Sequence, residues 1–477
     1  MVQKVSKEAA KSNKKRKRGE KKNVGEPEEE RVRGEPVRLW RIVTDYRDVF
    51  NNFILPKLSG NDVKFLYDVN TESREAIKRS GVRLKSSFKI RDFDTISLVS
   101  WAFSRARGQR QIFCETMARN GNLELLKSLR LQGCSWNVNT CHGAAENGHL
   151  ECLKYASKNG CPWDERTTRK AAQYGHLECL KYARENGCPW SASTCSKAAE
   201  NGHLECLKYA RKNGCRWDKR TTRKAAENGR LECLKYAHEN GCPWNANTCS
   251  KAAENGHLKC LKYAHKNGCP WKPWTCSVAA RGGHLECLKY ARENGCPWDG
   301  YTTSKAAENG HLKCLKYAHK NGCPWDEWTP RNAARGKKKS HLECLKYAHE
   351  NGCSWNLLTC CDAAEAGRLE CLKYAHENGC PWDDQTTRKA AQYGRLECLK
   401  YAHENGCPWD GWTTSKAAEN GHLECLKYAR ENGCPWDEWT PRNATGRWKK
   451  KGSLECLKYA LENGCPGSTI YAHLFSS

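Results

Sequence analysis

Between residues 112 and 466, apolar and polar positions recur in a phrase of 27 residues, and each phrase carries two amphipathic patterns. In one copy Thr167-Thr168-Arg169-Lys170-Ala171-Ala172-Gln173 predicts a short helix with a threonine N-cap, stopped at Gly175. His176-Leu177-Glu178-Cys179-Leu180-Lys181-Tyr182-Ala183 predicts a second helix, with Leu177, Leu180 and Ala183 on one face and Cys179 four residues before Ala183. Gly187 is placed to end it with a left-handed cap, and Pro189 blocks a restart.

The second-helix anchor fixes the period. Leu125, Cys152, Cys179, Cys206, Cys233, Cys260, Cys287 and Cys314 lie 27 residues apart. The register slips by three to Cys344, returns to 27 through Cys371, Cys398 and Cys425, then slips by four to Cys456. Thirteen units are legible. A unit this short cannot bury its own apolar face, so each must stack on its neighbours in a quasi-one-dimensional array.

On Ala198-Ala199, Gly202-His203-Leu204-Glu205, Leu207 and Gly214-Cys215 the unit resembles the ankyrin repeat, and the likeness spans roughly residues 112–466. It implies an all-α, ankyrin-like helical repeat solenoid. It also implies that Cys206 fills a valine slot, Cys215 the small-residue slot after the capping glycine, and Trp217 the slot of a packed valine. The family unit has about 33 residues, so these copies lack roughly six, and the missing stretch is expected to be the hairpin finger. The family's T-P-L-H is replaced by texts such as Thr194-Cys195-Ser196-Lys197.

The 32 cysteines suggest metal or redox chemistry until their spacing is read. Within a unit they fall nine and then eighteen residues apart, with no C-x-x-C pair, whereas zinc ligands come in close pairs. Free cysteine is a small buried hydrophobe, and an aromatic once per unit adds contact area, so Cys-Pro-Trp reads as packing with the tryptophan buried between units. His149, His176 and His203 recur at the inter-helix turn, but Arg230, Arg368 and Arg395 replace them in other copies. Interchange of His and Arg points to a polar turn residue rather than a ligand or general base. No nucleophile, base and orienting group stand at workable spacing, so neither an enzyme nor a cofactor is expected.

Differences between copies concentrate just after the tryptophan: Glu165-Arg166, Ala192-Ser193, Lys219-Arg220, Pro273-Trp274, Gly300-Tyr301, Glu327-Trp328, Leu357-Leu358 and Asp384-Gln385. Such an edge is the natural partner surface of a solenoid, and Trp274, Tyr301, Trp328, Trp412 and Trp439 supply it with anchor-type aromatics. Residues 301–334 nearly repeat at 412–445, so block duplication also accounts for part of this pattern. The insertions Lys337-Lys338-Lys339 and Arg447-Trp448-Lys449-Lys450-Lys451 fall at the helix–helix turn.

The formal charge of +27 is spread along the chain, about +5 to residue 35, about +7 over 36–120 and about +15 beyond. A nucleic-acid-binding solenoid is therefore weighed as a second alternative. The lysine column Lys154, Lys181, Lys208 and Lys235 lies three residues after Glu151, Glu178, Glu205 and Glu232, so local pairing is the plainer reading. No apolar run approaches the length needed to cross a bilayer, and no apolar signal core opens the chain, so an intracellular protein of the nucleus or cytoplasm is expected.

Three domains are expected: a disordered basic tail over 1–35, a helical module over 36–110, and the repeat array over 111–477. Within the tail, Lys14, Lys15, Arg16, Lys17 and Arg18 form a compact basic run suited to nuclear import. Seven of the eight phenylalanines, Phe50 to Phe113, lie on or just past the module. Its segment from Ile54 to Val69 resembles the middle of an F-box through Ile54, Leu55, Leu58, Asp62, Val63 and Leu66. That likeness implies docking to the Skp1 adaptor of a ubiquitin ligase, the repeats then capturing substrate; the competing reading is a helical cap on the array. The leading functional expectation is a non-catalytic protein–protein interaction scaffold, with the F-box-type substrate receptor as the alternative.

Overall fold

A computed structural model describes residues 111–445 and 451–475 together with residues 74, 77, 78, 100 and 102–104. The basic run Lys14–Arg18 and the F-box-like positions Ile54 to Leu66 lie outside the described residues. Thirteen pairs of α-helices run from Gln111–Asn120 to Lys451–Glu462, followed by a 3₁₀ helix, Ser468–Phe475. No strand occurs among the described residues, so the shortened copies carry no β-hairpin finger there. The fold is all-α, an ankyrin-like helical repeat. The chain divides into two compact units, Met1–Thr194 and Cys195–Ser477.

The pair Glu165–Tyr174 and Leu177–Glu185 shows how one copy folds. Its first helix is capped by Asp164, whose carboxylate accepts the Arg166 N–H at 2.9 Å, and not by a threonine. The expected threonine cap lies inside the first turn, where Thr167 and Thr168 are fully buried. The hydroxyl of Thr168 donates to the Pro189 carbonyl at 2.8 Å, tying the helix to the Cys-Pro-Trp segment. A carboxylate one step outside the helix reaches the orphan N–H, while the hydroxyl is consumed by a tertiary contact. The second helix ends at Glu185, and Gly187 at φ +87° lets the Cys188 N–H reach the Ala183 carbonyl at 2.9 Å, as the left-handed cap requires.

The core is one layer of small residues against one of leucines. Ala171, Ala172, Cys179, Leu180, Ala183 and Cys188 are each at most 1% exposed. The alanines let neighbouring first helices approach closely, and each leucine of a second helix contributes about 1.5–3 kcal/mol through burial.

The turn residue adds a clasp from one copy to the one before it. His176 Nε2–H donates to the Glu146 carbonyl at 3.1 Å, and His341 reaches the Glu308 carbonyl at 3.2 Å. Arginine does the same from Nε: Arg395 donates to the Glu365 carbonyl at 3.2 Å. His and Arg interchange because both present one N–H at that point. Gly148 serves the clasp twice, through its φ of +79° and because a Cβ there would meet the His176 ring at 2.4 Å.

The first insertion is absorbed as expected at the helix–helix turn. Trp328–Ala334 stops early and Lys339–Glu350 gains a turn. Arg331 and Arg335 bridge this irregular copy to the next through Asp362, with Arg331 Nε 2.6 Å from the buried carboxylate.

Candidate protein-interaction edge

The tryptophans of the repeating Cys-Pro-Trp and Cys-Ser-Trp segments are half-buried, which corrects the expectation that they lie fully inside. All but Trp163, where Ser157 stands six residues earlier, carry a cation or an imidazole on one face. Arg292 Cζ stands 4.5 Å over Trp298, while His265 stacks on Trp271 at 4.3 Å. The tyrosine of the following copy meets the indole edge-on, as Tyr317 meets Trp298 at 6.2 Å. In Trp271, Trp325, Trp355 and Trp436 the indole N–H is also spent on the next copy, as Trp271 Nε1 donates to the Asn294 carbonyl at 2.9 Å. Tryptophan is held at the rim because its N–H and its polarizable face both have polar partners there. Sequence reasoning missed this triad, although the residue six before the tryptophan alternates between His and Arg at His265, Arg292, His319 and His349.

A cation or imidazole on one face leaves most of the repeated tryptophans less ring surface for a nucleobase to stack on. The lysine column is engaged as well: Lys154, Lys181 and Lys208 each stand 2.8 Å from the glutamate three residues earlier. All 32 cysteines are free and buried. Burial pushes the Cys179 thiol up to about 11 and that of Cys206 up to about 12, so these thiols are poor nucleophiles. No cluster of three or more metal-ligating side chains gathers among the described residues, and no described helix is long and apolar enough to cross a membrane.

The variable edge differs in kind. Trp274, Tyr301, Trp328, Trp412 and Trp439 are 49%, 51%, 46%, 47% and 44% exposed. Four of them sit two residues after an aspartate whose carboxylate accepts the aromatic residue's own N–H: Asp299 for Tyr301 and Asp410 for Trp412, both N-caps, and Asp326 for Trp328 and Asp437 for Trp439. That bond fixes the backbone and directs the ring outward. A cation from the same copy covers one face of each ring, with Lys272 Nζ 4.2 Å from the Trp274 centroid and Arg331 Cζ 4.3 Å from that of Trp328.

Between Tyr301 and Trp328 the edge opens into a cleft of about 390 Å³, lined by Asp299, Gly300, Tyr301, Trp325, Asp326, Glu327 and Trp328. Gly300 keeps it open, since a Cβ there would stand 3.0 Å from Asp326 Cβ and 3.1 Å from the Trp325 carbonyl oxygen.

Residues 360–403 match the family of ankyrin repeats (many copies). Among solved structures, the human ASB11 ankyrin repeat domain aligns at 22% identity and a TM-score of 0.30, over 33% of this chain and 84% of that one. The pentatricopeptide repeat protein PPR10, solved in complex with an 18-nt psaJ RNA element, aligns at 13% identity and a TM-score of 0.35, over 91% of this chain and 72% of that one. No curated protein sequence matches the chain.

Proposed function

We propose that the protein is a non-catalytic protein–protein interaction scaffold whose partner surface is the edge bearing Trp274, Tyr301, Trp328, Trp412 and Trp439. What carries the reading is the exposure of five large aromatics, 44–51% each, at one recurring position of the copies. Elsewhere in the repeat large apolar side chains are mostly covered, and exposed aromatics on a rigid array are the usual anchors of protein interfaces. The ankyrin-repeat match over 360–403 agrees with a binding role.

The test is quantitative cross-linking in cells with the full chain and with a variant carrying serine at all five positions. Loss of the cross-linked partners at an unchanged thermal melt is expected. An unchanged partner set rejects the edge. Two narrower proposals rest on sequence alone. Adaptor docking through Ile54, Leu55, Leu58, Asp62, Val63 and Leu66 predicts Skp1 co-purification that alanine at Leu55 and Leu58 abolishes. Nuclear import through Lys14–Arg18 predicts a cytoplasmic shift of a fluorescent fusion when all five become alanine.

A further inference from the structure

We infer that the cleft between Tyr301 and Trp328 is a receptor for an arginine side chain presented by a protein partner. The inference rests on the reading of this edge as a partner surface and names the chemistry recognised there.

Charge is the first ground. Although the chain carries a formal +27, the residues lining the cleft include three carboxylates, Asp299, Asp326 and Glu327, and no cation. Among the described residues none of the three forms an ion pair; the carboxylates of Asp299 and Asp326 accept the backbone N–H groups of Tyr301 and Trp328. The glutamates of the second helices behave otherwise, since Glu151, Glu178, Glu205 and Glu286 each hold a lysine. The cleft is thus an acidic, aromatic-walled recess with unneutralised charge on a basic protein.

The second ground is a guanidinium held by the equivalent aspartate of a related copy. The near-duplicate copy, 111 residues on, presents Asp410, Gly411, Trp412, Trp436, Asp437, Glu438 and Trp439 in the same order. There Arg388, from the preceding copy, holds Asp410 as a fork, with Nε 3.1 Å from Oδ1 and Nη2 2.5 Å from Oδ2. In the first copy the position of Arg388 is taken by Ser277, whose hydroxyl donates to the Trp274 carbonyl at 2.9 Å and does not reach Asp299. The chain therefore supplies an arginine to one of the two equivalent aspartates and withholds it from the other.

Arginine fits better than lysine for a physical reason. A planar, weakly hydrated guanidinium can lie on an aromatic wall while its N–H groups address carboxylates, whereas an ammonium in an open, wet cleft keeps its water. This chain uses the stacking part of that geometry repeatedly: Arg211, Arg292 and Arg430 stand 4.5, 4.5 and 4.6 Å over Trp217, Trp298 and Trp436. Arg331, which covers one face of Trp328, is anchored by Asp362 and does not line the cleft.

The test is saturation-transfer NMR on the full chain with acetylated, amidated Gly-Gly-X-Gly-Gly peptides, where X is arginine, citrulline, lysine or glutamate. The arginine side-chain signal should exceed that of citrulline, its neutral isostere, by about fivefold. It should fall by a similar factor in Glu327→Gln with Trp328→Leu, both exposed positions. Arg388→Ser should raise it by freeing the Asp410 carboxylate, which keeps the test usable if the first variant misfolds. Equal signals for arginine and citrulline, or for arginine and lysine, overturn the inference, as does a stronger glutamate signal or indifference to Glu327→Gln with Trp328→Leu. If the arginine peptide fails while the five-serine variant still loses its cross-linked partners, this inference falls and the partner-surface reading stands; if the five-serine variant keeps them, the surface reading itself falls.

Discussion

Two sets of aromatics occur in every few copies of this repeat, and they differ in what they touch. Trp298 has Arg292 on its face and Tyr317 at its edge, so it links one copy to the next. Trp328, from the following copy, has Arg331 on one face and opens on the cleft with the other. Both are tryptophans near a cation, yet only the first has its other contacts inside the fold. Exposure alone does not separate structural from binding aromatics; the number of faces already engaged does.

The contrast is broken most forcefully by truncating both. Trp298→Ala should cost about 2–3 kcal/mol, less than a core truncation because the ring is half-buried, and a chemical denaturation curve reads it directly. In the same assay Trp328→Ala should cost no more than about 0.5 kcal/mol. If Trp328→Ala is instead the more destabilising, the assignment of the two rims is reversed. Binding should invert the order: Trp328→Ala is expected to weaken partner affinity by about 2 kcal/mol, measured by titration against a cross-linked partner once isolated. Trp298→Ala should leave that affinity nearly unchanged wherever the chain stays folded.

A smaller effect separates the aromatic from the hydrogen bond that aims it. Asp326→Ala removes the acceptor of the Trp328 N–H, held at 2.7 Å, and should cost about 1 kcal/mol. Asp326→Asn keeps an acceptor for that N–H and should recover most of that stability without the charge, so it distinguishes the turn bond from arginine recognition.

The smallest effect concerns the turn clasp. Desolvation lowers the pKa of His257 and His311 below the ordinary histidine value, although each donates to a carbonyl of the preceding copy. A histidine with a depressed folded pKa binds its proton more readily when unfolded. Its contribution is complete above about pH 6.5, the unfolded value, and is lost as pH falls below it. Stability should therefore decline slightly between pH 7.5 and 5.5. His257→Arg with His311→Arg, the residue that other copies use, should flatten that slope; an unchanged slope removes these histidines as its cause.

Much of the fold was legible because it is periodic. The period of 27, the two helices, the glycine caps and the buried Cys, Leu and Ala positions each repeat often enough to be read from residue types alone. The threonine cap was misread because a hydroxyl and a carboxylate within four residues of each other are both good caps, and only the fold buries Thr167 and Thr168 inside the first turn, with Thr168 donating to the Pro189 carbonyl. The candidate edge was legible as variation, but not its cleft, since Tyr301 and Trp328 lie in different copies.

By itself, then, the sequence determined the helical repeat, its register slips and the packing of its cysteines, leucines and alanines, since these follow from local propensity and a recurring apolar pattern. Only the tertiary structure decided which tryptophan faces are covered, which aspartate already holds an arginine and where two copies leave an acidic recess. Those outcomes depend on contacts between residues more than twenty positions apart, such as Arg388 and Asp410, and on the presence of Ser277 where another copy has arginine. No pattern within a single copy specifies such a pairing, because the partners are brought together only when one copy stacks upon the next.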